Sequence, residues 1–281
     1  MKNFSIKKIF PAYRDNIANL KTVRPLPSPQ IEMLDPFLFL NHHGPQVYSK
    51  NNNGLPFTPH PHRGFQTVTF IIAGDIAHKD SGGHESVIAA GGVQWMSAGR
   101  GLTHEEVSSK NFKTHGGDLE VLQLWINLPA RLKLSDPYYV GLQKNEIPLV
   151  TQDNENVGVQ VISGKWNEIQ GPFTPSTDIT TLLIELKLGG RMVVGIPQNH
   201  QIFFYVAQGE VQVSGQSIKA MNLVEFNSDG NQLQISSASN ALVLLCHAEP
   251  YNEPVAFGGP FVMNTEDEIR TAFADLRAGK F

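Results

Sequence analysis

The sequence predicts an all-β protein, two β-barrels in tandem followed by a short C-terminal helix, and three observations carry that expectation. Short β-branched and aromatic runs recur between glycine and proline turn signals, the pattern of sandwiches and barrels. The 281 residues are enough for two domains of about 100–150 residues each. The composition, 41% hydrophobic with 25 glycines and 18 prolines, suits short strands joined by tight turns, and 16 phenylalanines can fill two interiors.

In the first half, Thr67-Val68-Thr69-Phe70-Ile71-Ile72-Ala73 reads as a pleated strand that stops at the turn signal Gly74-Asp75. Other short strands are separated by Gly82-Gly83 and Gly91-Gly92, and the long apolar stretch 119–128 closes this half before Pro129. A polar, proline-marked stretch covers 135–178, although 157–162 within it reads as a strand of the second barrel. Then come six strand candidates at 181–188, 202–207, 210–213, 223–226, 233–235 and 241–245. These divisions place the barrels at 1–134 and 145–281. The last element is helical: Thr265 and Glu268 form a capping-box pair, and Ile269, Phe273 and Leu276 share one face before Gly279, a stripe explained by packing.

The residues with the most chemistry are His60-Pro61-His62 and His104-Glu105-Glu106. Side chains two apart on a strand point to the same side of a sheet, so the two pairs can close around one metal ion inside a barrel. If strand parity runs on unbroken, His60, His62, Gly64, Gln66, Val68, Phe70 and Ile72 share one face, which puts Gln66 beside the metal. Three imidazoles and a carboxylate suit Fe(II), Mn, Co, Ni, Cu or Zn, and not Ca or Mg, which prefer oxygen donors. Four protein ligands leave an octahedral ion two open positions, the mark of a catalytic rather than a structural site. The other histidines, His42, His43, His78, His84, His115, His200 and His247, read as hydrogen-bonded core or surface residues. Aligning the hairpin glycines Gly74 and Gly209 sets Gly195 opposite His60, Pro197 opposite His62 and Gln201 opposite Gln66, so the metal is expected in the first barrel alone.

Several function classes lose support. A formal charge of −4 with dispersed lysines argues against a nucleic-acid footprint. Glycine pairs without a strand-to-helix context or a following lysine are turns, not phosphate loops. Neither a Gly-x-Ser-x-Gly elbow nor a CxxC motif occurs, and the single cysteine, Cys246, ends an apolar run and reads as an inert strand residue. There is no apolar run of about 18 residues and no apolar segment at the N-terminus, so a cytoplasmic protein away from membranes is expected.

At the same residues the chain resembles a known family. The run His60-Pro61-His62-Arg63-Gly64-Phe65-Gln66-Thr67-Val68-Thr69-Phe70, then Asp80-Ser81, then Val93-Gln94-Trp95-Met96-Ser97-Ala98-Gly99-Arg100-Gly101 with His104-Glu105-Glu106, is similar to the pirin pattern of the cupin superfamily. Asp35-Pro36-Phe37-Leu38-Phe39-Leu40-Asn41-His42-His43-Gly44-Pro45 and Gly259-Pro260-Phe261-Val262-Met263-Asn264-Thr265 extend the likeness over most of the chain. The resemblance implies a bicupin with a single iron-type metal, foremost Fe(II), in the N-terminal barrel, held by His60, His62, His104 and Glu106. It also implies an activity of the quercetin 2,3-dioxygenase kind, with a flavonol or other aromatic enol and O2 as substrates and Glu106 as ligand and base. The alternative within the family is a non-enzymatic, redox-sensing regulator that contacts a transcription factor or a metabolic enzyme. One departure is Gln66, where the family has glutamate; the change is expected to spare metal binding and to remove a titratable group from beside the ligands.

Overall fold

Two sheets of matching design occur twice along the chain in a computed structural model that describes residues 1–281. One compact unit comprises residues 14–23, 37–145 and 251–281. Its larger sheet includes, in spatial order, Tyr138–Leu142, Val93–Ser97, Phe65–Ala73, Gly117–Asn127 and Phe37–Tyr48; its smaller one runs Phe57–His62, Leu102–Val107, Asp75–Asp80 and Glu85–Ala89. Ile71, Leu119 and Val121 from the larger sheet pack with Ile76 and Ile88 from the smaller, closing the barrel around an apolar end.

The other unit comprises residues 1–13, 24–36 and 146–250. Its seven-stranded sheet runs Ile6–Pro11, Asn222–Phe226, Gln201–Gln208, Ala241–Ala248, Ile179–Leu186, Val157–Ser163 and Leu149–Gln152, beside a four-stranded sheet of Arg191–Gly195, Gln232–Ser237, Glu210–Val213 and Gln216–Lys219. All six sequence-predicted strands of this half are present. Arg191–Gly195 and Gln216–Lys219 were not anticipated: both are short, the first has only the brief apolar run Met192-Val193-Val194, and the second buries Ile218 alone. The interior is a continuous set of Val, Leu, Ile and Phe side chains, to which the last long strand contributes Ala241, Val243 and Leu245. Cys246 is buried outside that set, on the other face of the same strand, its thiol pushed up to about 12 by burial against the opposing hydrogen bond with Thr181. A buried thiol so shifted carries little thiolate, the nucleophilic form.

The boundaries 1–134 and 145–281 need correction, because the two units interleave along the chain. Ile6–Pro11 pairs antiparallel with Asn222–Phe226, which carries the N-terminal strand into the second unit. Tyr138–Leu142 pairs with Val93–Ser97, which extends the first barrel past residue 134. At the far end Val262 N donates to Arg63 O at 3.0 Å, and Arg63 Nη1 donates to Asp275 Oδ2 at 2.9 Å, so residues 251–281 complete the first unit. Pairing across such sequence separations leaves no local pattern to read.

The C-terminal helix spans Glu266–Arg277 with the expected capping box, and Ile269, Phe273 and Leu276 pack on Phe261 and Met263. A second helix, Lys110–His115, went unread from the sequence; Ser109 caps it by accepting from Phe112 N, and Phe112 joins the barrel core. Neither helix is long and apolar enough to cross a membrane.

Candidate metal centre

The strand Phe57–His62 lies antiparallel to Leu102–Val107, with Leu102 opposite His62 and His104 opposite His60. That register brings the two i, i+2 pairs together. The ring centroids of His60 and His104 are 4.4 Å apart, those of His60 and His62 4.8 Å, and those of His62 and His104 5.0 Å. One ligand atom from each of the three lies within 4.8 Å of the others. The register shift between His104 and Glu106 falls on the facing strand, where Thr58 and Pro59 stand against Glu105 alone, while Leu102–Val107 pairs without a break with Asp75–Asp80.

Hydrogen bonds fix which nitrogen each ring offers. His60 Nδ1 meets Thr58 O at 2.8 Å and His62 Nδ1 meets Pro260 O at 3.2 Å. A carbonyl only accepts, so Nδ1 carries the hydrogen in both rings and Nε2 keeps its lone pair, the arrangement by which proteins orient metal-binding imidazoles. His104 is 2% exposed, and neither of its ring nitrogens has a hydrogen-bond partner. Burial, reinforced by the charge of neighbouring His60 and opposed by the Pro260 carbonyl, pulls His62 down to about 3; burial and the nearby histidines hold His104 well below its ordinary value. Both rings are therefore neutral near pH 7, the form that binds a cation.

Glu106 is held from the larger sheet. Thr69 Oγ1 donates to Oε1 at 3.2 Å, Gln94 Nε2 also donates to Oε1, and Gln123 Nε2 donates to Oε2 at 2.7 Å. These three residues were missed in the sequence, where strand parity pointed to Gln66. Gly64, at φ +85, passes the chain from the smaller sheet to the larger, so parity does not carry through it. Thr69, an odd-numbered position, faces Glu106. Gln66 faces away: its Oε1 accepts from Trp95 Nε1 and Tyr138 Oη, each at 3.0 Å, and not from a ligand candidate.

His78 also departs from expectation. It is buried, stands opposite Glu106 in the pairing of Asp75–Asp80 with Leu102–Val107, and contributes with His104 and Glu106 to a second triad of ligand atoms within 4.8 Å. The signal was available, since His78 and Asp80 form a further i, i+2 pair. Burial works against the Asp80 carboxylate, but hydrogen bonds from His78 and His84 outweigh it and hold the group below the ordinary range. The remaining histidines are hydrogen-bonded as expected: His42 to Glu120, His43 to Thr22, His84 to Asp80, His115 to Asn111 O, and His200 with His247.

The family model for pirin matches residues 19–126, and that for the pirin C-terminal cupin domain matches residues 181–281. A pirin-like protein of Caulobacter vibrioides is 36% identical over 269 residues, 94% of each chain. The chain belongs to the pirin family. Among solved structures, a quercetin 2,3-dioxygenase from Acinetobacter baumannii superposes with a TM-score of 0.92 at 30% identity, covering 99% of this pirin and 98% of that chain. The bacterial pirin YhhW from Escherichia coli, solved in complex with nickel(II), has a TM-score of 0.69 at 20% identity, covering 86% of this pirin and 99% of that chain, a likeness of fold.

The residues of this pirin fit a divalent transition metal. The donors are nitrogen-rich, and both nitrogens of His104 are buried without a hydrogen-bond partner, a cost that a bound cation would offset. Without metal, two buried histidines, one in each unit, make the protein acid-sensitive. His62 and His247, the latter lowered to about 3 by burial and by His200, take up a proton near pH 6.5 when unfolded but resist it when folded. The unfolded state then binds more protons, so stability falls as pH drops from about 6.5 toward 3. We expect metal-free protein to lose ~2 kcal/mol per such ring between pH 6.5 and 5, read as a falling urea midpoint; a flat profile would refute the burial argument.

The turn after His62 is tightly specified. A Cβ on Gly64 would lie 2.0 Å from Val262 O, and buried Lys133 Nζ donates to Gly64 O at 2.9 Å, Val262 O at 3.0 Å and Asn127 Oδ1 at 2.7 Å. Gly64→Ala adds this clash to a strained positive φ and is expected to cost about 3 kcal/mol or more, measurable by urea unfolding. An unchanged midpoint would show that the turn can relax.

Proposed function

We propose that this pirin is a cytoplasmic, metal-dependent dioxygenase of the quercetin 2,3-dioxygenase type, acting on flavonol-like aromatic enols with O2. The observation that carries the proposal is the convergence of His60, His62 and His104, with Glu106 grouped against the same His104 and no hydrogen-bond partner for either His104 nitrogen. These four residues would hold one divalent ion, Fe(II) foremost, with Mn, Co, Ni, Cu or Zn as chemically acceptable substitutes. When bound, such an ion acts as a Lewis acid that lowers the pKa of a coordinated enol hydroxyl and brings substrate and oxidant together.

The chain supplies the rest. Glu106, oriented by Thr69, Gln94 and Gln123, takes the enol proton on a carboxylate oxygen. An aromatic wall stands beside His62: Phe65 lies 4.9 Å and Trp125 5.3 Å from its ring, and Phe39 stacks on Trp125 at 4.6 Å. Such rings exclude water and offer flat faces to a flat substrate. Gln66 lies outside this set, hydrogen-bonded to Trp95 and Tyr138, so the missing glutamate does not remove the base.

Anaerobic purification, loading with Fe(II) and each alternative ion, and oxygen-consumption assays on a flavonol panel test the proposal. Flavonol-dependent O2 uptake that requires the metal is the expected result. A fully metal-loaded protein that consumes no O2 with any flavonol would overturn it and leave the regulatory, partner-binding reading.

A further inference from the structure

Gln123, Thr69 and Gln94, the three residues that hold Glu106, stand side by side as one row across the larger sheet, and the next place in that row is Gly141. The row therefore ends without a side chain. Tyr139, two residues earlier on the same face of its strand, leans into the gap: a Cβ on Gly141 would lie 2.6 Å from the tyrosine hydroxyl oxygen. Gly141 has no positive φ, so what glycine supplies here is space for that hydroxyl.

From this position the Tyr139 hydroxyl donates to Gln94 Oε1 at 3.1 Å, and Gln94 Nε2 donates to Glu106 Oε1. The amide cannot be turned round, because its oxygen would then face the carboxylate. Ser86 completes the chain: with the one phenolic hydrogen committed to Gln94, the serine hydroxyl donates to Tyr139. Burial pushes the Tyr139 hydroxyl up to about 12 against the opposing hydrogen bond with Ser86, and the charges of Glu106 and Asp80 act with burial, so the group stays a donor. Stacking on His78 at 3.9 Å and 9° fixes the ring. Gln94 is 3% exposed, and without the hydroxyl its carbonyl oxygen would be a buried acceptor with no donor.

We propose that Tyr139 is the positioning residue of Glu106, acting through Gln94: its hydroxyl fixes the amide, and the amide orients the carboxylate. The inference rests on the role given to Glu106 above and deepens it.

Two readouts on the full-length protein test it. In the metal-free form Tyr139→Phe keeps the ring on His78 and should displace the 13C resonance of the Glu106 carboxyl carbon. Gly141→Ala, which keeps the tyrosine but crowds its hydroxyl, should do the same. With Gln94→Met already in place, Tyr139→Phe should have no further effect on that resonance, because the amide that carries the influence is gone. In the Fe(II)-loaded form, flavonol turnover by Tyr139→Phe should show kcat about tenfold lower at unchanged KM and metal content. An unmoved Glu106 resonance, an unchanged kcat, or a displacement that persists in the Gln94→Met background would overturn the proposal. A wild type that turns over no flavonol would overturn the function proposed above instead, and the Glu106 resonance would still decide the positioning.

Discussion

Replacing His104 with alanine is expected to empty the metal centre. His104 belongs to both triads of ligand atoms and is buried with two unpartnered nitrogens, so no neighbouring side chain can take its place. Loss of a group that merely hydrogen-bonds a ligand typically costs 10–100-fold in metal affinity, and loss of a shared ligand should exceed about 100-fold. Thermal unfolding separates the metal from the fold. Metal should raise the melting temperature of the wild type but not of His104→Ala, because only binding to the native state stabilises it. The metal-free variant should retain a cooperative transition, since the barrel is held by its apolar packing. A variant that keeps wild-type metal content would sink the site.

Glu106→Gln is the second large effect. Both carboxylate oxygens accept hydrogen bonds, Oε1 from Thr69 and Gln94 and Oε2 from Gln123. An amide cannot accept on both sides, so its NH2 must confront a donor, leaving buried groups unsatisfied at about 1–3 kcal/mol. The ion loses its one anionic ligand, and the site loses its base. Metal retention should weaken, and turnover at saturating metal should fall about a hundred- to ten-thousand-fold, the range general bases contribute. Parallel metal analysis and O2 uptake decide it: full occupancy with full turnover would place the base and the fourth ligand elsewhere.

Much of this architecture is legible in the sequence, and the failures have physical causes. The two i, i+2 pairs reveal the histidine cluster because period-two alternation is local and the strands that carry them are neighbours. The same rule misplaces Gln66, because one glycine with positive φ moves the chain between sheets and resets the parity. Thr69, Gln94 and Gln123 come from three strands, so their convergence on Glu106 depends on pairings that sequence spacing does not encode. His78 was passed over as one histidine among ten, although its own i, i+2 partner, Asp80, stands two residues on. The tandem barrels follow from strand rhythm, but the exchange of terminal segments depends on pairings between distant residues.

That interleaving sets the order of events on the ribosome. The strands carrying His60, His62, His104 and Glu106 emerge in the first half of synthesis, whereas the carbonyl of Pro260 that fixes the His62 ring emerges near its end. A nascent chain halted before that point also lacks the Val262 backbone that receives Arg63 and the Asp275 carboxylate that anchors it. It carries an unlocked turn at Gly64 and an exposed strand edge. On the proposed assignment, ion capture would thereby be postponed until translation is all but finished, and a truncated product would be left with a loose site that retains metal poorly.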